Sequence, residues 1–271
     1  MSSTLLWASV AGLYGLLFGS FANVVIWRYP RGESLVSPGS HCPACDAAIA
    51  WYDNVPVVSW LVLRGKCRRC GKPISIRYPI VELSSGLLWA LGVLAFGVTP
   101  RAAFAIAFYY LLLILSAIDL DTFRLPNAIV GLMGAVALLG IGLSSVLGRG
   151  VLPLVDTAFL PWQASLIGAA SSAGTALAIA LLYRLLRNAE GFGMGDVKLL
   201  AVIGLYIGPH ALMTLFVASI IGAVFGIAAS RRSSEGLKAK IPFGPFLSAS
   251  AIAVSVVGPQ LWASYMRLVG G

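Results

Sequence analysis

The chain has 271 residues, of which 59% are hydrophobic and only 11% charged, with a formal net charge of +9. That balance excludes a soluble domain folded around one interior core, so lipid has to act as solvent. The apolar runs are continuous rather than alternating, which disfavours a β-barrel and leaves helices as the way to satisfy backbone polar groups in hydrocarbon.

About 20 apolar residues cross a bilayer as a helix. By that measure the predicted spans are 5–27, 80–98, 102–118, 128–147, 164–186, 194–208, 210–229 and 243–266. The fold class expected is an all-α polytopic membrane protein of about eight transmembrane helices with a small zinc-binding cytoplasmic loop domain. The first span has no basic residue before it and has Arg28 and Arg31 after it. It reads as a retained helix with its N-terminus outside, not as a cleaved leader. The long stretch from 199 to 230 is divided at Gly208-Pro209, where proline can open a second helix.

With eight spans, the cytoplasmic side receives the loop 28–79, Arg124, the segment 184–198 and the loop 231–240, together 16 of the 19 Lys and Arg. Arg101, Arg149 and Arg267 stay outside, as the positive-inside rule favours. The positive charge is thus assigned to topology and anionic lipid, with no nucleic-acid role.

All four cysteines fall in the first loop, as Cys42-Pro-Ala-Cys45 and Cys67-Arg-Arg-Cys70. Two close-spaced pairs can each grip one metal from a tight turn, and four thiolates complete a closed tetrahedron around zinc, a structural site. Two disulfides are the competing reading, and a reducing cytoplasm argues against them. A loop of about 50 residues builds little core of its own, so metal would supply much of its folding free energy. Arg64, Lys66, Arg68, Arg69 and Lys72 make the loop basic, and His41 reads as a surface residue.

Only ten Asp and Glu occur in the chain. Asp119 closes the apolar run YYLLLILSAI, and Asp196 follows Gly193-Met-Gly195 at the start of the next apolar helix. Both sit where a span meets the cytoplasmic surface, so they lie at similar depth and can meet. Ionisable residues at such positions are costly and usually face a protein cavity. Two adjacent carboxylates cannot both ionise easily, so one serves as acid and the other as base. That division suits hydrolysis of an amide by water. Glycines ahead of Asp196 let a substrate backbone or a neighbouring helix come close. Lys198 reads as an interfacial anchor.

Two other function classes compete. An ion transporter would need polar residues along the whole bundle, whereas both aspartates sit at one edge. A docking scaffold explains the cysteine loop but leaves the paired carboxylates idle.

Four blocks carry a resemblance that covers nearly the whole chain: GSFANVVIWRYP (Gly19–Pro30), the paired CxxC loop followed by IRYPIVELSSG (Ile76–Gly86), SAIDLDTFRLPN (Ser116–Asn127) and GMGDVKLLAVIG (Gly193–Gly204). In order and spacing they resemble the type 4 prepilin peptidases, the bacterial GxGD-type intramembrane aspartic peptidases, in the long form with a cysteine-rich loop. The resemblance implies that Asp119 and Asp196 are the catalytic pair and that Gly193 and Gly195 form the peptidase glycine motif. Met194 stands between these glycines where the family often has Tyr.

By the same resemblance the substrates are type IV prepilins or type II secretion pseudopilins, cut at the cytoplasmic face of the bacterial inner membrane. The new N-terminus would then be methylated from S-adenosylmethionine. Asn23, Arg28 and Glu82, at the cytoplasmic ends of the first two spans, are candidate contacts for substrate or methyl donor. Arg28 could equally anchor topology, and Glu82 could pair with Arg77. The expected domains are the first helix at 1–27, the zinc-binding loop at 28–79 and the peptidase bundle at 80–271.

Overall fold

The computed structural model describes residues 3–147, 150–187, 192–230 and 241–269. Arg149 and the basic loop 231–240, both used above for topology, lie outside the described residues.

Among the described residues, eight long helices occupy the eight predicted stretches. They are α1 (Ser3–Arg28), α3 (Arg77–Phe96), α4 (Pro100–Thr122), α5 (Asn127–Leu147), α6 (Pro161–Arg187), α7 (Met194–Ile207), α8 (Ala211–Ser230) and α9 (Gly244–Val269), with a short α2 (Val58–Val62) in the loop after α1. Among the described residues there is no extended strand pairing beyond two isolated bridges.

Among the described residues, six segments are long and apolar enough to cross a membrane, and one of them, Met194–Ala228, runs through both α7 and α8. The chain is thus a multi-pass membrane protein. The structure breaks that long segment with a 3-10 turn at Gly208–His210, where Gly208 has φ +60°. This is the division expected at Gly208-Pro209, because proline supplies no N–H to continue α7 but can start a new turn.

Two helix ends differ from the sequence reading in ways that matter for the site. α3 begins at Arg77 because Pro79 sits in the first turn, where a missing N–H interrupts no helical bond. α4 continues to Thr122, so Asp119 lies inside its last turn. The helix stops where Phe123 adopts a left-handed φ of +54° and returns its N–H to the Asp119 carbonyl at 2.9 Å. Pro126 follows, and its carbonyl accepts the first backbone bonds of α5.

The chain forms two compact units, Met1–Ile106 and Ala107–Gly271. In the first, α1 packs along α3 through a glycine seam: any side chain at Gly15 or Gly19 would strike the α3 backbone at Gly86 or Glu82. Close backbone approach of this kind is how helices associate where lipid removes the hydrophobic drive between them.

In the second unit Gly168 of α6 and Gly204 of α7 meet backbone to backbone. The core there is built of Phe108, Leu112 and Leu115 on α4, Met133 on α5, and Leu199, Ile203 and Tyr206 on α7, all fully buried. Phe108 stacks on Tyr206 with ring centroids 4.2 Å apart. Both buried tyrosine hydroxyls on α4 and α7 are paired: Tyr109 Oη and Ser255 Oγ lie 2.7 Å apart, and Tyr206 Oη donates to the Met133 carbonyl at 3.1 Å.

Between α5 and α6 the segment Val151–Val155 is neither helix nor strand, yet its residues are buried. Ser144 holds it: the hydroxyl oxygen accepts the N–H of Val151 and of Leu152, both at 2.9 Å. The N–H of Leu154 donates to the Tyr206 carbonyl at 2.6 Å. Irregular backbone survives at membrane depth only when protein satisfies it in this way.

Candidate active site and metal centre

The two aspartates reach the site from different helix ends. Asp119 sits in the last turn of α4 and is 5% exposed. Asp196 sits in the first turn of α7, whose N-cap is Gly193 in an extended conformation. The Gly193 carbonyl accepts the Asp196 N–H at 3.1 Å, and a Cβ on Gly193 would lie 3.0 Å from Asp196 Oδ2. Gly193 thus leaves the face of that carboxylate open. The two segments share one neighbourhood: Leu125 lies against both Gly195, next to Asp196, and Gly244, whose N–H is bonded to Asp119. Asp121, two residues on, is exposed.

Sequence reasoning missed Gly244. Its backbone N–H donates to Asp119 Oδ2 at 2.9 Å, and a Cβ there would fall 2.7 Å from that oxygen and 3.2 Å from Cγ. Only glycine lets the backbone come this close. The signal was present as the run Ile241-Pro-Phe-Gly-Pro-Phe246, with two prolines around a glycine at a helix start.

Leu125, in the turn after α4, ties the elements together. A Cβ on Gly195 would lie 3.4 Å from the Leu125 Cβ, and one on Gly244 would lie 3.3 Å from its Cδ2. Phe192 and Phe243 close the same region, edge to face at 5.5 Å.

Lys198 takes part as well. Its ammonium donates to Asn127 Oδ1 at 3.0 Å, joining the first turns of α7 and α5. An interfacial anchor is the expected role for such a lysine, and the structure adds this bond between α7, which carries Asp196, and the start of α5.

The four cysteines converge in the first unit, with their sulfurs all within 4.8 Å of one another. Cys42 and Cys70 Sγ are 3.9 Å apart, far beyond a disulfide bond and close to the roughly 3.8 Å edge of a tetrahedron with metal–sulfur bonds of about 2.3 Å. The donor set and its spacing therefore fit a metal ion.

Both pairs are built alike. The Cys42 N–H donates to the Ala47 carbonyl and the Cys67 N–H to the Lys72 carbonyl, each at 2.9 Å. The residue after each second cysteine, Asp46 or Gly71, has positive φ, and bridges His41 to Ala48 and Lys66 to Pro73 close the turns. Backbone N–H groups of Cys70 and Arg69 draw the Cys67 thiol down to about 6, whereas at Cys45 the pull of the Ala47 N–H is outweighed by desolvation and the neighbouring thiols, which push it up to about 11.

The three other polar candidates also lie in the first unit, and each is engaged within the chain. Asn23 Nδ2 donates to the Tyr78 carbonyl at 3.1 Å, and Arg28 donates to the Ser34 carbonyl at 3.0 Å and more weakly to that of Gly39. Glu82 Oε2 accepts the Val57 N–H at 2.8 Å. Arg28 and Glu82 thus fasten the loop to α1 and α3, and Asn23 joins those two helices to each other.

Residues 13–96 match the Bacterial Peptidase A24 N-terminal domain, and residues 106–227 match the Type IV leader peptidase family. The chain is 35% identical to a prepilin leader peptidase/N-methyltransferase of Burkholderia pseudomallei (strain 1026b), over 95% of this chain and 86% of that one. The chain belongs to the type IV leader peptidase family. Relatives in that family with the same description include those of Stutzerimonas stutzeri, 34% identical over 98% of this chain and 96% of theirs, and Neisseria gonorrhoeae, 33% over 93% and 91%. No solved structure matches the chain. The two family matches fall largely within the two compact units, the cysteine centre in the N-terminal one and both aspartates in the peptidase one.

Proposed function

We propose that this chain is a membrane aspartic endopeptidase that removes the leader of type IV prepilins or type II secretion pseudopilins and methylates the new N-terminus, with Asp119 and Asp196 as the catalytic pair. The observation that carries the peptidase reading is the convergence of the two aspartate-bearing helix ends on Leu125 and Gly244, with the Gly244 N–H bonded to the Asp119 carboxylate. The ionised member takes a proton from water as the oxygen attacks the scissile carbonyl. The protonated member gives its proton to the carbonyl oxygen; as the resulting gem-diol collapses, the first carboxyl passes the proton it took from water to the leaving amine and a diol hydroxyl returns its proton to the second carboxylate, restoring the pair. Gly193 and Gly195 form the glycine motif that lets the substrate backbone approach.

Four cysteines offer zinc a closed site, with no open position for a water nucleophile, so zinc would act by folding the loop at 28–79. We place this loop and the aspartates at the cytoplasmic face of the bacterial inner membrane, with eight crossings, because that arrangement sets most of the Lys and Arg inside. The bundle at 80–271 then forms the peptidase body.

S-adenosylmethionine supplies the methyl group in the second activity. Asn23, Arg28 and Glu82 are proposed as contacts for the donor or the substrate, and each would have to give up or share an internal bond to serve. No step is routed through them.

The test is mass analysis of a pilin N-terminus after incubation with the purified protein, with and without S-adenosylmethionine. Loss of the leader in both samples and a methyl increment only with the donor is the expected result. An intact leader in both would sink the reading.

A further inference from the structure

Within the first unit, the loop between α1 and α3 carries an apolar face that is largely exposed. Val58 is 54% exposed, Leu61 61%, Val62 69% and Trp51 83%. Such a group on a cytosolic loop would be an aggregation liability unless something covers it.

The depth of this face says what does. The Val57 N–H, just before α2, is bonded to Glu82 Oε2. Glu82 lies five residues into α3, about 7.5 Å along its axis at 1.5 Å per residue. α2 therefore starts beside the flank of α3, not in the water beyond its end. α3 itself has 20 residues, about 30 Å, the thickness of the hydrocarbon core. Its first turns thus lie at the headgroup and acyl boundary, and α2 lies there with them.

The face is held rigidly. Ser59 Oγ donates to the Tyr52 carbonyl at 2.9 Å and accepts the Val55 N–H at 3.0 Å, locking α2 to the turn Trp51–Asn54. Trp60 Nε1 donates to the Ile74 carbonyl at 3.1 Å. Beyond α2 come Arg64, Lys66, Arg69 and Lys72, all exposed. At the end of α1, Arg31 lies 3.7 Å from the centre of the Trp27 ring, an aromatic and basic pair of the kind found at membrane interfaces.

We infer that α2 and Trp51 dock the cysteine loop onto the bilayer, with Val58, Leu61, Val62 and Trp51 in the outer acyl region and Arg64, Lys66, Arg69 and Lys72 on anionic phospholipid headgroups. Apolar residues at the boundary with basic residues beside them is the composition of an interfacial lipid-binding segment. Such docking fixes the metal-bearing loop against the membrane surface instead of leaving it free in solvent.

The test places a benzophenone amino acid at Val62 in the full chain, reconstituted in nanodiscs, and identifies its photoadducts by mass. A phospholipid adduct is expected in discs containing phosphatidylglycerol, several-fold weaker in phosphatidylcholine alone. No lipid adduct, equal yield in both lipids, or an adduct to pilin or to a second copy of the chain would overturn the inference. As a check independent of that substitution, the fluorescence lost on Trp51→Phe should be emission that brominated phospholipids quench. Neither measurement needs cleavage activity, so the outcome is separate from that of the peptidase reading.

Discussion

The backbone N–H of Gly244 donates to the Asp119 carboxylate at 2.9 Å, joining the start of α9 to the last turn of α4. A single added methyl group breaks this arrangement, because there is no room for it beside Oδ2. In Gly244→Ala the carboxylate has to move, and displacement on the scale of an ångström costs about 100-fold in rate. Leader cleavage by mass spectrometry should fall by that much while the protein stays folded. Wild-type turnover would show that the contact has no part in catalysis.

Asp119→Asn and Asp196→Asn should each reduce cleavage by about 10⁴-fold or more, with the double variant no slower than the singles, because the two act as one unit. Single-turnover assays on detergent-purified variants decide it. Independent, multiplying losses would mean that the carboxylates do separate jobs.

Lys198→Ala removes the bond to Asn127 Oδ1 that holds α7 against α5 near the site. One exposed hydrogen bond is worth about 1 kcal/mol, so kcat should drop roughly fivefold, with partial recovery in Lys198→Arg. A change in KM alone would assign the lysine to substrate binding instead.

Elemental analysis should find about one zinc per chain. A strong chelator should render residues 28–79 protease-sensitive, with cleavage activity declining only in step with that unfolding. Immediate inhibition of an intact loop would point to a metal in the chemistry.

The helices, the break at Gly208-Pro209, the cysteine cluster and the two aspartates were legible because each leaves a local trace. Apolar length marks a span, paired CxxC marks a metal turn, and a carboxylate at a span edge is conspicuous in so apolar a chain. Gly244 and Leu125 were not, since a glycine 125 residues from Asp119 becomes informative only when the fold lays its N–H against the carboxylate. The same holds for α2, whose five residues give too little periodicity to read. Asn23, Arg28 and Glu82 stood out as polar groups near span ends, but what each one touches was beyond the reach of pattern.

Ser144→Ala should leave the N–H groups of Val151 and Leu152 without an acceptor in a dry setting, at a cost on the order of 2 kcal/mol. Thermal unfolding in detergent reads it, and an unchanged midpoint would mean that water reaches the segment.

That segment also shapes what the site can exchange with its surroundings. α7 has 14 residues, about 21 Å, against a hydrocarbon core of about 30 Å. The buried apolar stretch Val151, Leu152, Leu154 and Val155 is bonded through the Leu154 N–H to the Tyr206 carbonyl, near the end of α7 away from Asp196. With its N–H groups bonded inside the protein, this stretch keeps the apolar barrier continuous at the Tyr206 end of α7, so the hydrolysis proposed at Asp196 calls for no polar path across the membrane and no leak in the ion gradient.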